Sequence, residues 1–484
     1  MDVASVAVIG AGAAGAVTAS ALKAENYFKR IRVFERRETA GGVWIQDVES
    51  NKSRPFEPGK LPPDIDRPLQ IPSKLPQALP HNQQERWEET PIYKSLTTNV
   101  PHIAMCFSDS IFPYGPFVPH YVARQYIENY FSLHQTDSFL ELNTTVEDLS
   151  WVPSSSHKNG GNWKLTLRKG DVARRQDMWW EEHFDAVILA NGHYSVPYVP
   201  RVPGLESYTK TYPGRVSHSK FYRSPEKYYN KRIIVVGNSA SGHDVAADLV
   251  SVAKKPIYWS IRSKTRWDGP EAPEGMEWKP TIEEFRAEDG SVLFSDGSIL
   301  EDIDAVIYCT GYKSSFPFWN TAANGHPLWD YKTDRMIGNY QHTFLRSSPT
   351  IGIVGLPRTL TFRSFEYQAI ALARLWSNRN KFPLPSIAEQ EKWEMERIRQ
   401  SQENKTKFHN IPWDTGETHE YLNYLYSFAG LSTLAGDGRV PPPLTREMVW
   451  AIENIRKYPE PGKDKKPRAN VKEDEYRGWV VVKP

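Results

Sequence analysis

A glycine-rich turn near the start of the chain has the spacing that binds a pyrophosphate. The apolar run of residues 3–9 leads directly into GAGAAG, whose glycines are Gly10, Gly12 and Gly15. The first glycine allows a tight turn, the second lets the backbone approach the phosphates, and the third lets the following helix pack on the strand. A helical run and a second strand, IRVFE, follow. Its last residue, Glu35, lies about 20 residues beyond the loop, where a carboxylate binds ribose hydroxyls.

A second loop of the same plan lies in the middle of the chain. The run IIVVGNSASG places Gly237, Ser239 and Gly242 at the three loop positions, with serine where the middle glycine would be. The next strand, IYWSIR, puts Arg262 where the first unit has its glutamate. A cation there favours a 2′-phosphate, so this unit is predicted to bind NADPH rather than NADH. An exposed basic turn without a ligand is the alternative interpretation.

Three shorter segments add candidate positions for nucleotide binding. The turn GGVW contains Gly42 and Trp44, and its small residues let a large flat ligand pass close to the backbone. Two apolar strands of the buried type end at glycines, FDAVILANGHY at Gly192 and DAVIYCTGY at Thr310 and Gly311. Each marks a place where the chain reaches a ligand or crosses between domains.

These units predict an α/β fold with two Rossmann-like dinucleotide-binding domains, the second inserted into the first. The predicted boundaries are residues 1–213 for the first part of the outer domain, 214–317 for the inserted domain, and 318–484 for the rest of the outer domain with C-terminal helices and a tail. At 484 residues the chain is too long for one compact core, which agrees with this division.

The C-terminal third of the chain carries three helix signals. FEYQAIALARLW predicts a helix that begins near Phe365. Ser386 and Glu389 have the spacing of a capping box at the start of a second helix. A third amphipathic run is closed by Gly430.

Composition excludes several classes of protein. The 60 Lys and Arg against 58 Asp and Glu give a net charge of +2, which provides no field for a nucleic-acid partner. The two cysteines, Cys106 and Cys309, form no C-x-x-C pair, so a dithiol redox centre is excluded and a reducing, cytoplasmic location is expected. The histidines have no metal-ligand spacing, so no metal site is expected.

No segment is long and apolar enough to predict a transmembrane helix. The nearly uncharged run VASVAVIGAGAAGAVTASAL has the length of a signal peptide, but it lacks a basic leader and its glycines form the phosphate loop. A homodimer is the default expectation for such a protein.

The order of these motifs resembles that of one protein family. GAGAAG, the strand ending in Glu35, GGVW, LTTNVP, YPGRVSHSKFYR, GNSASG and CTGY look like the motif series of flavin-containing monooxygenases, class B of the single-component flavoprotein monooxygenases. The match covers about the first three quarters of the chain, and the ordered set is more specific than any single motif. The resemblance implies FAD in the outer domain and NADPH in the inserted domain.

The stretch YPGRVSHSKFYR is similar to the family signature F-x-G-x-x-x-H-x-x-x-(F/Y)-(K/R). It runs through Gly214, His218, Tyr222 and Arg223, with Tyr212 in place of the first Phe. In the family this segment lies at the junction of the two domains, so the resemblance implies a coupling role rather than a chemical one. Such a role is physically reasonable because contacts across a seam change when domains move.

The resemblance also implies a catalytic residue and a flavin contact. Asn99, in LTTNVP, matches the family's active-site asparagine, whose amide donates hydrogen bonds without acting as a base. Read without the family, Thr-Asn before Val-Pro is an ordinary turn signal. Gln368, near the start of the predicted helix, matches a position beside the flavin pyrimidine.

The implied activity is an NADPH- and O2-dependent monooxygenation. In the family, NADPH reduces FAD, the reduced flavin captures O2 as a C4a-hydroperoxide, and a soft nucleophile attacks the distal oxygen. The substrate would therefore be a small molecule with a nucleophilic nitrogen or sulfur. Three alternatives stay open: a Baeyer-Villiger monooxygenase acting on a ketone, an NADPH oxidase that releases peroxide, and a non-catalytic redox sensor.

Two features depart from the family pattern. Asn191 stands where many relatives carry Thr or Ser. The stretch 51–91 is long and rich in proline, which prevents a long helix or a central strand. This stretch is predicted to be either a lid over the flavin or an ordered wrap on the surface.

Overall fold

The computed structural model describes residues 1–47, 57–84, 86–265, 268–430, 436–440, 444–455 and 457. The described helices are α1 Ala13–Ala24, α2 Pro62–Ile65, α3 His102–Met105, α4 His120–Leu133, α5 Leu205–Thr211, α6 Ala240–Val250, α7 Thr321–Asn324, α8 Phe362–Trp376, α9 Ile387–Glu403, α10 Glu417–Ala429 and α11 Arg446–Asn454. The described strands are β1 Ser5–Ile9, β2 Arg30–Phe34, β3 Gln77–Pro80, β4 Leu140–Glu141, β5 Thr144–Pro153, β6 Gly161–Asp171, β7 Gln176–Phe184, β8 Ala186–Leu189, β9 Val196–Pro197, β10 Val216–His218, β11 Ile233–Val236, β12 Ile257–Ser260, β13 Met276–Lys279, β14 Ile282–Phe285, β15 Val292–Phe294, β16 Ile299–Leu300, β17 Ala305–Tyr308, β18 Tyr312–Lys313, β19 Trp329–Asp330, β20 Arg335–Met336, β21 Asn339–Tyr340, β22 Phe344–Leu345 and β23 Ile351–Ile353.

The first sheet has seven strands in the order β21-β22-β23-β8-β1-β2-β4. The strands β23, β8, β1, β2 and β4 run parallel, and β21 and β22 form an antiparallel edge. Helices α1 and α8 pack on one face, in a core that includes Val17, Leu22, Ile370 and Leu372. Because β1 lies in the middle of the sheet, the loop that follows it is surrounded by neighbouring strand ends.

The second sheet has five parallel strands in the order β10-β17-β11-β12-β13. All of them lie between β8 and β21 in the sequence, which confirms that one dinucleotide-binding unit is inserted into the other. The chain crosses between the sheets twice, and the two crossings pair with each other as β9 and β18, Tyr312 opposite Pro197. Leu205 and Tyr208 pack in the core of the second sheet, ahead of residue 214. The boundaries at 213/214 and 317/318 stay predictions.

The proline-rich stretch has two structural roles in its described part. Strand β3 pairs antiparallel with β7 and becomes the edge of a four-stranded sheet, β3-β7-β6-β5. The buried Arg86 then ties the stretch down, since it donates to Glu147 at 2.6 Å and to Asp66 at 3.3 Å. Proline is compatible with this place because an edge strand leaves one row of its backbone unpaired. Residues 51–56 and 85 lie outside the described residues.

Two of the three C-terminal helix predictions agree closely with the structure. Ser386 is the N-cap of α9 and forms a capping box with Glu389, and Gly430 ends α10 in a left-handed conformation at φ 74°. Helix α8 begins at Phe362 rather than near Phe365. In the described part of the chain, none of the helices has both the length and the apolar character needed to cross a bilayer.

A pair of buried histidines joins the antiparallel edge of the first sheet to the loop after α9. The Nε2 atom of His409 accepts a hydrogen bond from Met336 N at 3.1 Å, so neutral His409 carries its proton on Nδ1. That atom lies 3.0 Å from Nδ1 of His342, to which it donates. Burial lowers the pKa of both side chains far below the usual value of 6.5, because a charged imidazole would be desolvated there.

This pair makes the folded state sensitive to mild acid. Its folded-state pKa values lie below the unfolded value, so the unfolded chain binds more protons and stability is lost as the pH falls below about 6.5. Each histidine should lower the free energy of unfolding by about 1.4 kcal/mol between about pH 7.5 and about pH 5.5. Urea unfolding at the two pH values measures this loss. His342→Gln should reduce this loss of unfolding free energy by the contribution of one histidine. His183→Gln, at an exposed position, should leave the loss unchanged.

Candidate functional site

One large cavity, with a volume of about 1090 Å³, extends along the carboxyl ends of the strands of both sheets. Ligands of open α/β sheets bind at this end of the strands. Most of the residues singled out in the sequence lie on its wall. They are Gly10, Gly12, Glu35, Gly42, Trp44, Asn99, Gly192, Gly237, Ser239, Arg262, Thr310 and Gly311.

The first glycine loop has room for backbone only. A Cβ atom on Gly10, whose φ is +109°, would lie 2.6 Å from the carbonyl oxygen of Ala190. One on Gly15 would lie 1.9 Å from the carbonyl oxygen of Gly10, so the third glycine brings α1 against the end of β1. The amino end of α1 therefore faces the cavity, where its free N–H groups favour a phosphate.

The turn at Gly42 touches the same loop from the other side. A Cβ atom on Gly42, at φ +56°, would lie 2.7 Å from Cα of Gly12. Trp44 follows in a short 3-10 helix and meets Phe362 edge to face, with ring centroids 6.1 Å apart. The buried Glu35 carboxylate accepts hydrogen bonds from Ala11 N at 2.8 Å and Arg37 N at 2.9 Å, and its remaining lone pairs can accept ribose hydroxyls.

The second loop repeats this construction. A Cβ atom on Gly242 would lie 1.9 Å from the carbonyl oxygen of Gly237, which packs α6 against β11. Ser239 is the N-cap of α6, but its hydroxyl makes no capping hydrogen bond and its side chain is exposed on the cavity wall. Arg262 is exposed on the same wall, after β12. Both side chains therefore face the open cavity beside the second loop.

Three of the four predicted junction residues are buried where the two sheets meet. His218 accepts from Lys220 N at 3.0 Å, and its ring lies 5.2 Å from that of Tyr312. Burial lowers the pKa of His218 to about 3, so its imidazole is neutral at physiological pH. The Tyr222 hydroxyl donates to Asp248 at 3.1 Å, and the Arg223 guanidinium donates to the Lys220 carbonyl at 2.8 Å.

Residues 218–223 and helix α6 together contact residues 87–96. We call this contact the seam. Lys94 N donates to the Arg223 carbonyl at 2.8 Å, and Ser95 Oγ donates to the Asp248 carboxylate at 2.5 Å. The ring of Tyr93 lies 5.7 Å from that of Tyr222. Gly214 is exposed in the turn between α5 and β10, so the structure does not bring it to the seam.

Asn99 and Gln368 are placed very differently. Asn99 is exposed on the cavity wall, as an active-site amide would be. Gln368 is buried and absent from that wall. Its Oε1 accepts from Gly355 N at 3.0 Å, and its Nε2 donates to the His342 carbonyl at 3.1 Å and to the Ile353 carbonyl at 3.3 Å. Gln368 therefore braces the loop at Gly355, which does line the cavity, instead of reaching the cavity itself.

Several other wall residues have no recognisable signal in the sequence. Thr361, the N-cap of α8, has φ 54° and ψ −119°, a backbone conformation that is strained for a β-branched residue. His193, beside Gly192, also lines the cavity, and burial lowers its pKa to about 3, with a further contribution from the charge of Arg358. Neither a threonine in a loop nor a histidine after a glycine has a spacing that would have marked it.

A family model described as flavin-binding monooxygenase-like matches residues 81–267 and 274–434, and one for an NAD(P)-binding Rossmann-like domain matches residues 8–59. Flavin-containing monooxygenase FMO GS-OX3 of Arabidopsis thaliana is 31% identical over 392 residues, 78% of this chain and 74% of that protein. Flavin-containing monooxygenase iboF of Amanita muscaria is 29% identical, over 78% of this chain and 79% of its own length. The solved structure of S-allyl-L-cysteine S-oxygenase from Allium sativum is 26% identical, with a TM-score of 0.70 over 93% of this chain and 91% of that one.

The contact between Gly42 and Gly12 predicts a specific loss of flavin. In Gly42→Ala the new methyl group would push the phosphate loop out of place, so the purified protein should carry far less FAD per chain. The ratio of flavin to protein absorbance measures this. Gly338→Ala is the matched control, since Gly338 has φ +65° but a Cβ atom there would meet nothing within 4 Å, and it should keep its flavin. Equal flavin content in the two variants would contradict the prediction.

The position of Arg262 predicts selectivity for the phosphorylated nucleotide. Arg262→Gln should raise KM for NADPH by about ten- to hundredfold, because a charge-assisted hydrogen bond to phosphate is lost, and should leave KM for NADH nearly unchanged. Steady-state oxidation of both nucleotides measures the effect. Lys254→Gln removes an exposed cation from the same domain and should change neither KM.

Proposed function

Because the chain belongs to the flavin-binding monooxygenase-like family, we propose that this flavin monooxygenase oxygenates the sulfur of a small thioether, at the expense of NADPH and O2. The observation that supports this most is the cavity that joins both glycine loops and has Asn99 on its wall. A hydride donor and a flavin need such a shared space. In balance, NADPH, H⁺, O2 and a thioether give NADP⁺, water and a sulfoxide.

The residues of the cavity fit FAD and NADPH. Gly10, Gly12 and Gly42 present bare backbone to the cavity, a Cβ atom on Gly42 would clash with the Gly12 backbone, and Glu35 offers a carboxylate for a ribose. We assign FAD to this loop and NADPH to the loop with Arg262. When bound, FAD supplies the redox chemistry, accepting hydride from NADPH and activating O2.

The protein's own contribution is to bind, orient and exclude water. In our proposal the Asn99 amide donates a hydrogen bond to an oxygen at the reacting centre, and it cannot remove a proton as a carboxylate would. His193 stays neutral because its pKa is lowered to about 3, so it adds no charge at the wall. Arg86 and residues 88–91 of the proline-rich stretch form another part of the wall, which suits the exclusion of bulk water.

The activity named for one similar solved structure favours sulfur over nitrogen as the atom that is oxygenated. The Allium sativum enzyme is an S-oxygenase of S-allyl-L-cysteine, and this chain matches nearly its whole length. A thioether is also a soft nucleophile that needs no deprotonation, in keeping with Asn99, whose amide cannot act as a base. The role of the seam in coupling the domains, the domain boundaries, the cytoplasmic location and the homodimer stay predictions.

Product analysis with three probes tests the proposal. The purified protein, loaded with FAD, would be given NADPH, air and methyl phenyl sulfide, N,N-dimethylaniline or phenylacetone. We expect sulfoxide in proportion to the NADPH consumed. An N-oxide alone would transfer the activity to nitrogen, an ester from the ketone would indicate a Baeyer-Villiger enzyme, and hydrogen peroxide without any product would leave an oxidase or a sensor.

Asn99 should control how much of the NADPH is used productively. In Asn99→Asp the donor is replaced by an acceptor-only group of the same shape, so sulfoxide per NADPH should fall about tenfold or more while hydrogen peroxide rises. Parallel assays of NADPH, sulfoxide and peroxide give this ratio. Asn26→Asp, at an exposed turn away from the cavity wall, is the control and should leave the ratio as in the wild type.

A further inference from the structure

A group of cationic side chains lies at one end of the cavity, apart from both glycine loops. Arg358 and Lys407 lie on the cavity wall. Lys407 Nζ donates to the Asp334 carboxylate at 2.8 Å, and Lys313 Nζ lies 3.3 Å from the same carboxylate. We call Arg358, Lys407, Lys313 and Asp334 the cationic end.

The order of strands places the cationic end away from both assigned phosphate sites. Along the sheet edge, β2 leads to Glu35, β1 to the Gly10 loop, β8 to Gly192 and β23 to Gly355, just ahead of Arg358. Parallel strands lie about 4.8 Å apart, so β23 is about 10 Å across the sheet from β1. In our assignment, the part of a dinucleotide beyond a ribose at Glu35 and a pyrophosphate at the Gly10 loop would therefore lie toward β8 and β23. Arg262, for the 2′-phosphate, belongs to the other sheet.

The cationic end contains more positive than negative side chains. Asp334 is the one carboxylate of a group that holds three cations, and among the described residues no carboxylate forms an ion pair with the Arg358 guanidinium. Desolvation lowers the pKa of Lys407, and the charge of Arg358 lowers it further. Two other carboxylates on the wall have partners of their own: Asp66 accepts from Ser315 at 2.7 Å, and Asp244 pairs with Lys457 at 2.9 Å.

We propose that Arg358 and Lys407 bind an anionic group, a carboxylate or a sulfate, that is part of the thioether substrate. This inference rests on the proposed function and narrows it to anionic thioethers. The half-exposed Lys407 and the exposed Arg358 can reach a ligand inside the cavity while Asp334 holds Lys407 in position. The anion would orient the substrate so that its sulfur points to the reactive face of the flavin, on the ring side of the sheet edge.

A matched pair of substrates isolates the charge. Methylthioacetate and methylthioacetamide have the same sulfur and nearly the same shape, but only the first is an anion. The quantity measured is the ratio of kcat/KM for the acid to kcat/KM for the amide. In Arg358→Gln this ratio should fall about ten- to hundredfold, the loss expected when a charge-assisted hydrogen bond is removed. Arg358→Lys should retain part of it, and Lys392→Gln, at an exposed position on α9, should retain all of it.

The outcomes separate this inference from the proposed function. If neither of these probes nor methyl phenyl sulfide yields sulfoxide, the proposed function fails. Quenching of protein fluorescence by methylthioacetate then decides the anion site, since Arg358→Gln should still weaken that binding about tenfold or more relative to the wild type. An unchanged ratio and unchanged binding in Arg358→Gln would overturn the inference. An equal loss of kcat/KM for the acid and the amide, together with a changed flavin spectrum, would also overturn it, because Arg358 would then interact with the flavin.

Discussion

Backbone packing at the two glycine loops is the constraint on which the rest of the structure depends. In both loops a Cβ atom on the third glycine, Gly15 or Gly242, would lie 1.9 Å from the carbonyl oxygen of the first. Each helix must therefore touch the end of its strand directly, which fixes the direction in which its amino end points. Both amino ends open into the same cavity, so the two loops proposed to bind phosphates face one shared space.

Polar groups on α6 form much of the contact at the seam. On α6, Asp248 receives hydrogen bonds from Tyr222 of its own domain and from Ser95 across the seam. Asp244, one turn earlier, receives them from Tyr93 and Lys457. A helix face with carboxylates four residues apart could exchange such partners for water, which is what the predicted coupling role of the seam requires. A purely apolar contact of the same area would lock the domains more firmly.

Local chemistry accounts for what the sequence predicted. Glycine spacing, a capping box and a left-handed C-terminal glycine involve residues only a few positions apart, so they can be recognised without knowing the fold. Strand β3 could not be found in this way, because Gln77 pairs with Trp179, about a hundred positions later. The family resemblance implies a flavin contact for Gln368, from its place near the start of a predicted helix. With α8 beginning at Phe362, it lies almost two turns inside, where its amide meets backbone rather than cavity.

The pairing of β9 with β18 brings the entrance and the exit of the inserted domain together. Paired residues of antiparallel strands have Cα atoms about 5 Å apart, so Pro197 and Tyr312 are immediate neighbours. Along the chain, the inserted domain is thus joined to the outer one by a two-stranded stalk. A unit attached in this way can be exchanged, as one gene segment, for the inserted domain of a relative, and no linker is needed to span a gap. Nucleotide preference and substrate preference can then change independently.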